Sequence, residues 1–121
     1  MINWFEIPVS DFERAQKFYN TILDFSMQVH TMGPNIMGFF PYEMGSGKVS
    51  GAIVKGEMHR PGKDGCILYL NGNPDLTTIL DRVETAGGKI TMPKTQISAE
   101  IGYMAFFNDP EGNMMALHSQ A

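Results

Sequence analysis

Glu6 is the residue of this chain best suited to acid–base chemistry. It lies in the alternating segment Ile2–Val9, on the same face of a strand as Trp4 and Pro8. A carboxylate on an inward face is desolvated unless it is paired, and desolvation raises its pKa towards neutrality. Such a group can act as a general base, with His118 as its partner. The alternative is structural, in which Glu6 pairs with a lysine or arginine or reaches water.

The three histidines and the single cysteine form no recognisable catalytic or metal-binding motif. His30, His59 and His118 are scattered, without the i, i+4 or H-x-H spacing of metal ligands. We interpret His30 and His59 as surface or partly buried polar residues. Cys66 has only glycine and isoleucine beside it, and these supply no base or cation to form a thiolate. Neither a Ser-His-Asp triad nor a phosphate-binding loop is visible in the sequence.

The composition is that of a folded protein that binds neither nucleic acid nor membrane. The chain has 121 residues, of which 43% are hydrophobic and 18% charged, with a formal net charge of −4. The basic residues form no cluster that could bind the phosphate backbone of a nucleic acid. No apolar stretch approaches the roughly 18 residues of a membrane-spanning helix. The N-terminus lacks a signal peptide, and a lone cysteine fits a reducing compartment. We therefore expect a cytoplasmic protein.

The hydrophobic periodicity of the first half predicts one strand, one helix and three further strands. The predicted strands are Ile2–Val9, Phe25–Thr31, Ile36–Pro41 and Val49–Lys55. Between the first two strands, an apolar stripe from Phe12 to Leu23 predicts the helix. Ser10 or Asp11 can cap it, and Glu13 would complete a capping box with Ser10.

The second half repeats this order of elements after a polar linker, residues 57–64. The predicted strands are Cys66–Asn71, Lys89–Met92, Ile101–Phe107 and Met114–His118, and we expect Pro93 to stop the second of them. Asp75 is the predicted cap of the helix, and Gly87-Gly88 closes it. The expected fold is α+β, one domain of two βαβββ modules, approximately 1–56 and 65–121, curled into an open barrel.

Strand alternation also predicts which side chains line a pocket inside this barrel. They are Trp4, Glu6 and Pro8 from the first strand, Ile67, Tyr69 and Asn71 from the fifth, and Met114, Ala116 and His118 from the last. Tryptophan and tyrosine offer flat apolar area with one polar group each, as is common in small-ligand sites. The alternative for Trp4 is ordinary core packing.

Three segments resemble the glyoxalase/bleomycin-resistance/dioxygenase proteins, the vicinal oxygen chelate superfamily. Phe5–Ala15 with Phe18-Tyr19 is similar to the first strand and helix of that family. Tyr69–Gly88 resembles the opening of its second half, and Asp109–Asn113 its signature turn before the last strand. The resemblance covers nearly the whole chain and implies paired βαβββ modules, an open barrel and a homodimer.

Family members that use a divalent metal hold it with His, Gln and Glu and exploit it as a Lewis acid, whereas others bind a drug without metal. The resemblance places the four ligand positions at Trp4, at Gly51 or Ala52, at Ile67, and at Ala116. Only if the register of the third position shifted by one residue, from Ile67 to Cys66, would one of these positions carry a side-chain atom that can bind a metal. We therefore predict no metal and no cofactor.

Three functional hypotheses remain open at this stage. The first is a metal-free protein that binds an apolar or aromatic molecule through Trp4, Tyr69 and methionine-rich faces. The second is a lyase, isomerase or dioxygenase that uses a displaced metal or Glu6 with His118. The third is a dimeric interaction module whose barrel is filled by its own side chains.

Overall fold

The structure is a computed structural model that describes residues 1–43 and 45–121. Within these residues the strands are β1 (Trp4–Pro8), β2 (Gln28–Met32), β3 (Asn35–Phe39), β4 (Ser50–Lys55), β5 (Leu68–Asn71), β6 (Lys89–Ser98), β7 (Gly102–Asn108) and β8 (Met114–Ser119). The helices are α1 (Phe12–Leu23) and α2 (Thr77–Val83). The predicted order, βαβββ twice, is confirmed.

The two halves form sheets of identical topology, with strand orders β1-β4-β3-β2 and β5-β8-β7-β6. In each sheet the first pair, β1 with β4 and β5 with β8, is parallel, and the other pairs are antiparallel. The register places Glu6 beside Ala52 and Tyr69 beside Ala116. Two helices and two open mixed sheets confirm the predicted α+β fold.

One hydrophobic core joins the helices to one face of both sheets. Ile7 and Val9 of β1 are each 1% exposed, as the alternating pattern predicts for their face. The other large buried side chains include Phe18, Ile22, Ile53, Leu76, Val83, Phe107 and Leu117, which come from both halves. Because the helices occupy this side, the opposite face of each sheet is left free to form a site. In the first sheet that free face carries Trp4 and Glu6.

The turn before β8 fastens the two halves together. The Tyr19 hydroxyl of α1 donates a hydrogen bond to Asp109 Oδ2 over 2.6 Å. The Asn113 amide N–H donates to Asp109 Oδ1, and Asn113 Nδ2 donates to the Pro8 carbonyl oxygen. Burial, the charge of Asp109 and the hydrogen bond from the Tyr19 hydroxyl to Asp109 raise the pKa of Tyr19 well above its usual value. The turn thus positions β1 as well as β8.

The start of α1 is capped from the other half of the chain. Asp11 is the N-cap, and its side chain accepts a hydrogen bond from the Arg14 N–H. The predicted capping box with Glu13 is wrong. Glu111 instead accepts from the Ser10 and Asp11 N–H groups and pairs with the Arg14 guanidinium, although it lies about a hundred residues away along the chain.

These hydrogen bonds favour the ionised form of Glu111. Burial by itself raises the pKa of this carboxyl, but donors on Arg14, Ser10 and Asp11 outweigh it and lower the pKa below its usual value. A lowered pKa stabilises the fold above the carboxyl's unfolded pKa. This contribution is lost as the pH falls through the folded value.

The predicted cap of the second helix is wrong by one residue, because the N-cap is Leu76 and not Asp75. The Thr77 N–H nevertheless donates to Asp75 Oδ1 over 2.9 Å. Hydrogen bonds from Thr77, followed by the hydrogen bond and charge of Lys94, lower the pKa of Asp75 to about 2. In the described part of the chain no helix is long and apolar enough to cross a membrane.

Strand boundaries differ most from prediction in β6. The expected stop at Pro93 is wrong, because β6 continues to Ser98. β6 is an edge strand that pairs only with β7 among the described strands, and its register shifts between Met92 and Thr95. A proline is tolerated there because no ladder N–H is needed. Smaller shifts affect β2, which begins at Gln28 rather than Phe25.

Candidate functional site

The free face of the first sheet carries aromatic side chains packed on a buried cluster of apolar residues. Ala52 is fully buried at its centre, and Met37 and Val54 pack beside it. Trp4 and Phe39 lie against this cluster from β1 and β3. Beside the Trp4 and Phe39 rings, β4 contributes Ala52, whose small side chain fills less space than a larger residue would. The sheet therefore presents a concave apolar surface.

This surface opens into a cavity of about 520 Å³, which we call the aromatic cleft. It is lined by Trp4, Gln28, His30, Phe39 and Tyr42, with Phe25-Ser26 and Phe40-Pro41 at its end. The Trp4 ring lies 5.7 Å from the Phe39 centroid and 5.9 Å from that of Tyr42, in tilted and edge-on orientations. His30 lies edge-on to Phe39 at 5.1 Å. The cleft has the volume and apolar walls of a small-ligand site.

Trp4 is the single predicted pocket residue that lines this cleft. Sequence reasoning missed Phe39, Tyr42 and His30, which complete it. Alternation along the predicted strand Ile36–Pro41 could have placed Phe39 beside Met37 on one face. Its position opposite Trp4 depends on the pairing of β3 with β4, which no local pattern reveals.

A second cavity, of about 470 Å³, lies between the free edge of β1 and the segment that leads into β5. We call it the central cleft, lined by Glu6, Arg60, Asp64, Cys66, Leu68 and Met114 together with neighbouring backbone. Of the predicted pocket residues it brings together Glu6, Pro8 and Met114. Charged groups of both signs line it, unlike the aromatic cleft.

In the central cleft Glu6 is paired with His59. Glu6 Oε1 lies 2.8 Å from His59 Nε2, and the side chains are 37% and 17% exposed. The Nδ1 atom of His59 is buried without a hydrogen-bond partner among the described residues. Because a carboxylate only accepts, Nε2 donates this hydrogen bond, and the other ring nitrogen is the buried Nδ1. That nitrogen is closed off from any substrate.

The predicted partnership of Glu6 with His118 is wrong. His118 Nε2 lies 2.6 Å from the Ile101 carbonyl oxygen, to which it donates. The register instead places His118 beside Asn71 and Met104 in the second sheet. Of the two routes in the enzyme hypothesis, the pair of Glu6 with His118 therefore does not form within the chain, and the route through a displaced metal is separate from it.

The remaining predicted residues form a separate patch on the second sheet. Tyr69 and Ala116 are neighbours in register, as are Asn71 and His118, and Tyr69 lies edge-on to Phe106 at 5.9 Å. Tyr69 is 50% exposed and Ile67, just before β5, is 40% exposed, whereas Ala116 is fully buried. None of these lines the two cavities described above. Their role in binding stays a prediction.

The four positions where the family resemblance implies metal ligands do not fit a divalent ion. Trp4 packs against aromatic rings, Ala52 and Ala116 are fully buried, and Ile67 has no donor atom. At Gly51 an added Cβ would collide with the Phe5 carbonyl oxygen, so no ligating side chain fits there. Across residues 1–43 and 45–121, no three His, Cys, Asp or Glu side chains lie close enough to share an ion.

A family model settles the relationship of the chain to known proteins. The model of the Glyoxalase/Bleomycin resistance protein/Dioxygenase superfamily matches residues 1–117. The chain belongs to this superfamily. A glyoxylase-like domain-containing protein of Didymella fabae is 29% identical over 119 residues, which is 96% of this chain and 91% of that protein.

Solved structures of the superfamily share the fold of the chain. The antibiotic-binding protein TnmS3 of Streptomyces sp. CB03234 superposes with a TM-score of 0.70 at 24% identity, over 100% of this chain and 96% of that one. Glyoxalase I of Zea mays gives 0.71 at 18% identity, over 98% of this chain and 44% of that one. At these identities the likeness establishes the architecture, and the site must be judged on its own residues.

Proposed function

We propose that this superfamily member binds a small planar aromatic molecule in the aromatic cleft and needs no metal ion to do so. The observation that carries the proposal is the open 520 Å³ cavity walled by Trp4, Phe39 and Tyr42. Offset and edge-on packing against such rings gives an aromatic ligand favourable contacts beyond simple area burial. An open cavity also argues against a barrel filled by its own side chains.

Two further observations support binding rather than metal chemistry. The residues at the family's metal-binding positions have no side-chain atom that could bind a metal ion. A bound molecule must therefore be held by apolar contact and hydrogen bonds. TnmS3, which has the same fold, is described as an antibiotic-binding protein. A protein that sequesters or senses an aromatic compound needs only a preformed cavity of this kind.

Calorimetric titration of chelator-treated protein with naphthalene tests the proposal. We expect one saturable site per chain with a dissociation constant on the order of 10–100 μM, as suits about ten heavy atoms. Trp4 is the only tryptophan, so quenching of its fluorescence localises the ligand. Adding Zn²⁺ or Mg²⁺ should leave the affinity unchanged. Binding that needs added metal, or no binding at all, would contradict the proposal.

We also propose that the protein is a cytoplasmic homodimer. The second sheet exposes Tyr69 and Ile97, the turn between β6 and β7 exposes Ile101, and the edge strand β2 exposes Val29 and Met32. Exposed apolar strands of this kind are usually covered by another chain. Light scattering should give twice the mass of one chain, and a purely monomeric sample at micromolar concentration would count against it. The exposed free thiol of Cys66 suits a reducing compartment.

A further inference from the structure

The aromatic cleft has a polar edge made by side chains that have nothing to bind within the protein. Gln28 and His30 lie on the edge strand β2, next in register to Phe39 and Met37, and Ser26 precedes them. Their side chains, with Trp4 Nε1 and the Tyr42 hydroxyl, make no hydrogen bond to any described residue. Five polar groups of the lining thus lack a hydrogen-bond partner among the described residues, and four of them belong to exposed residues that a ligand can reach.

The chemistry of this edge favours a hydrogen-bond acceptor in the ligand. Tryptophan Nε1 only donates, a glutamine amide and the serine and tyrosine hydroxyls can each donate, and histidine offers an N–H or a full positive charge. Among the described residues that line the cleft there is no aspartate or glutamate. A cation would find no carboxylate among these described residues, whereas a carboxylate or carbonyl oxygen could accept hydrogen bonds from several of these groups.

The carboxylate of Glu6, on the same face of the first sheet, is kept away from this edge. In register, Glu6 on β1 lies beside Ala52, Ala52 beside Phe39, and Phe39 beside Gln28. Three strand spacings of about 4.8 Å separate Glu6 from Gln28, or about 14 Å. Glu6 is also engaged by His59. Its charge therefore weighs little on a ligand bound at β2.

We infer that the aromatic cleft selects planar aromatic acids and ketones, with the ring against Trp4 and Phe39 and the carboxylate or carbonyl oxygen directed to Gln28 and His30. The inference rests on the proposed function and specifies its ligand class. A charge-assisted hydrogen bond in a partly enclosed site contributes enough to raise affinity about tenfold or more. Gln28 and His30 are then the residues that determine specificity.

Four probes that share one ring system test the inference by calorimetry: naphthalene, 2-acetylnaphthalene, 2-naphthoate and 2-(aminomethyl)naphthalene. We expect 2-naphthoate to bind at least about tenfold more tightly than naphthalene, the ketone to lie between them, and the ammonium compound to bind no better than naphthalene. In the variants Gln28→Leu and His30→Phe the ratio of 2-naphthoate affinity to naphthalene affinity, measured within each variant, should fall towards one. Lys17→Met, a change at an exposed cation on α1, controls for net charge and should preserve the order.

The outcomes separate the inference from the proposed function. If naphthalene binds but 2-naphthoate binds no more tightly, or the ammonium compound binds best, the inference fails and aromatic binding stands. If 2-naphthoate still binds more tightly than naphthalene in both β2 variants, other residues recognise the carboxylate and the inference also fails. If no probe binds to the folded wild-type protein, the proposed function falls and takes the inference with it.

Discussion

Replacing Trp4 with alanine is expected to weaken naphthalene binding at least about 30-fold. A central aromatic residue of a binding site often contributes 2 kcal/mol or more, and 1.4 kcal/mol corresponds to a factor of ten. Trp4 contacts both Phe39 and Tyr42, so its removal opens the wall that those rings share. Calorimetry measures the loss directly, because the variant has no tryptophan to observe.

Tyr69→Ala provides the matched control. Tyr69 is another aromatic residue on the free face of a sheet, 50% exposed where Trp4 is partly buried, but it lies in the second half and outside the aromatic cleft. Its replacement should change the affinity less than about twofold. Equal losses in the two variants would place the ligand between the two sheets and contradict the aromatic cleft as the site. Circular dichroism of both variants confirms that they are folded.

Replacing Asp109 with alanine is expected to lower the free energy of unfolding by about 3–5 kcal/mol, which is a large share of the 5–15 kcal/mol of a typical domain. Asp109 is 4% exposed and accepts hydrogen bonds from the Tyr19 hydroxyl, from the N–H groups of Glu111 and Asn113, and from Asn113 Nδ2. Its loss leaves these donors buried and unpaired. Urea denaturation with an unchanged m-value measures the effect.

Asp81→Ala separates this effect from the general loss of a carboxylate. Asp81 lies exposed on α2 and makes no ion pair with any described residue. Its replacement should change the stability by no more than about 0.5 kcal/mol. A loss below about 1 kcal/mol for Asp109→Ala would show that the turn does not fasten the halves together.

Local patterns predicted the elements that local physics controls. The apolar stripe of α1 and the alternation of β1 follow from side-chain geometry within a few residues, and both are found as predicted. The hydrogen bond from the Thr77 N–H to Asp75, one residue before the N-cap, is also a short-range interaction. The continuation of β6 beyond Pro93 was missed because an edge position and a register shift are properties of the sheet, not of the strand.

Partners distant along the chain account for what sequence reasoning got wrong at the candidate site. Glu6 lies beside His59 and not His118 because the segment before β5 passes over the free edge of β1. Glu111 replaces Glu13 at the start of α1 because the turn before β8 is bound there through Tyr19 and Asn113. Neither pairing leaves a periodic signal in the sequence.

The sequence by itself therefore determined the order of the elements, the faces of β1 and the absence of donor side chains at the family's metal positions, since each depends on residue type and short-range spacing. Only the tertiary structure decided that Trp4 faces Phe39 and Tyr42, and that polar side chains of β2 border the same cavity. Strand pairing brings these residues together, and pairing is set by the packing of both halves around one core.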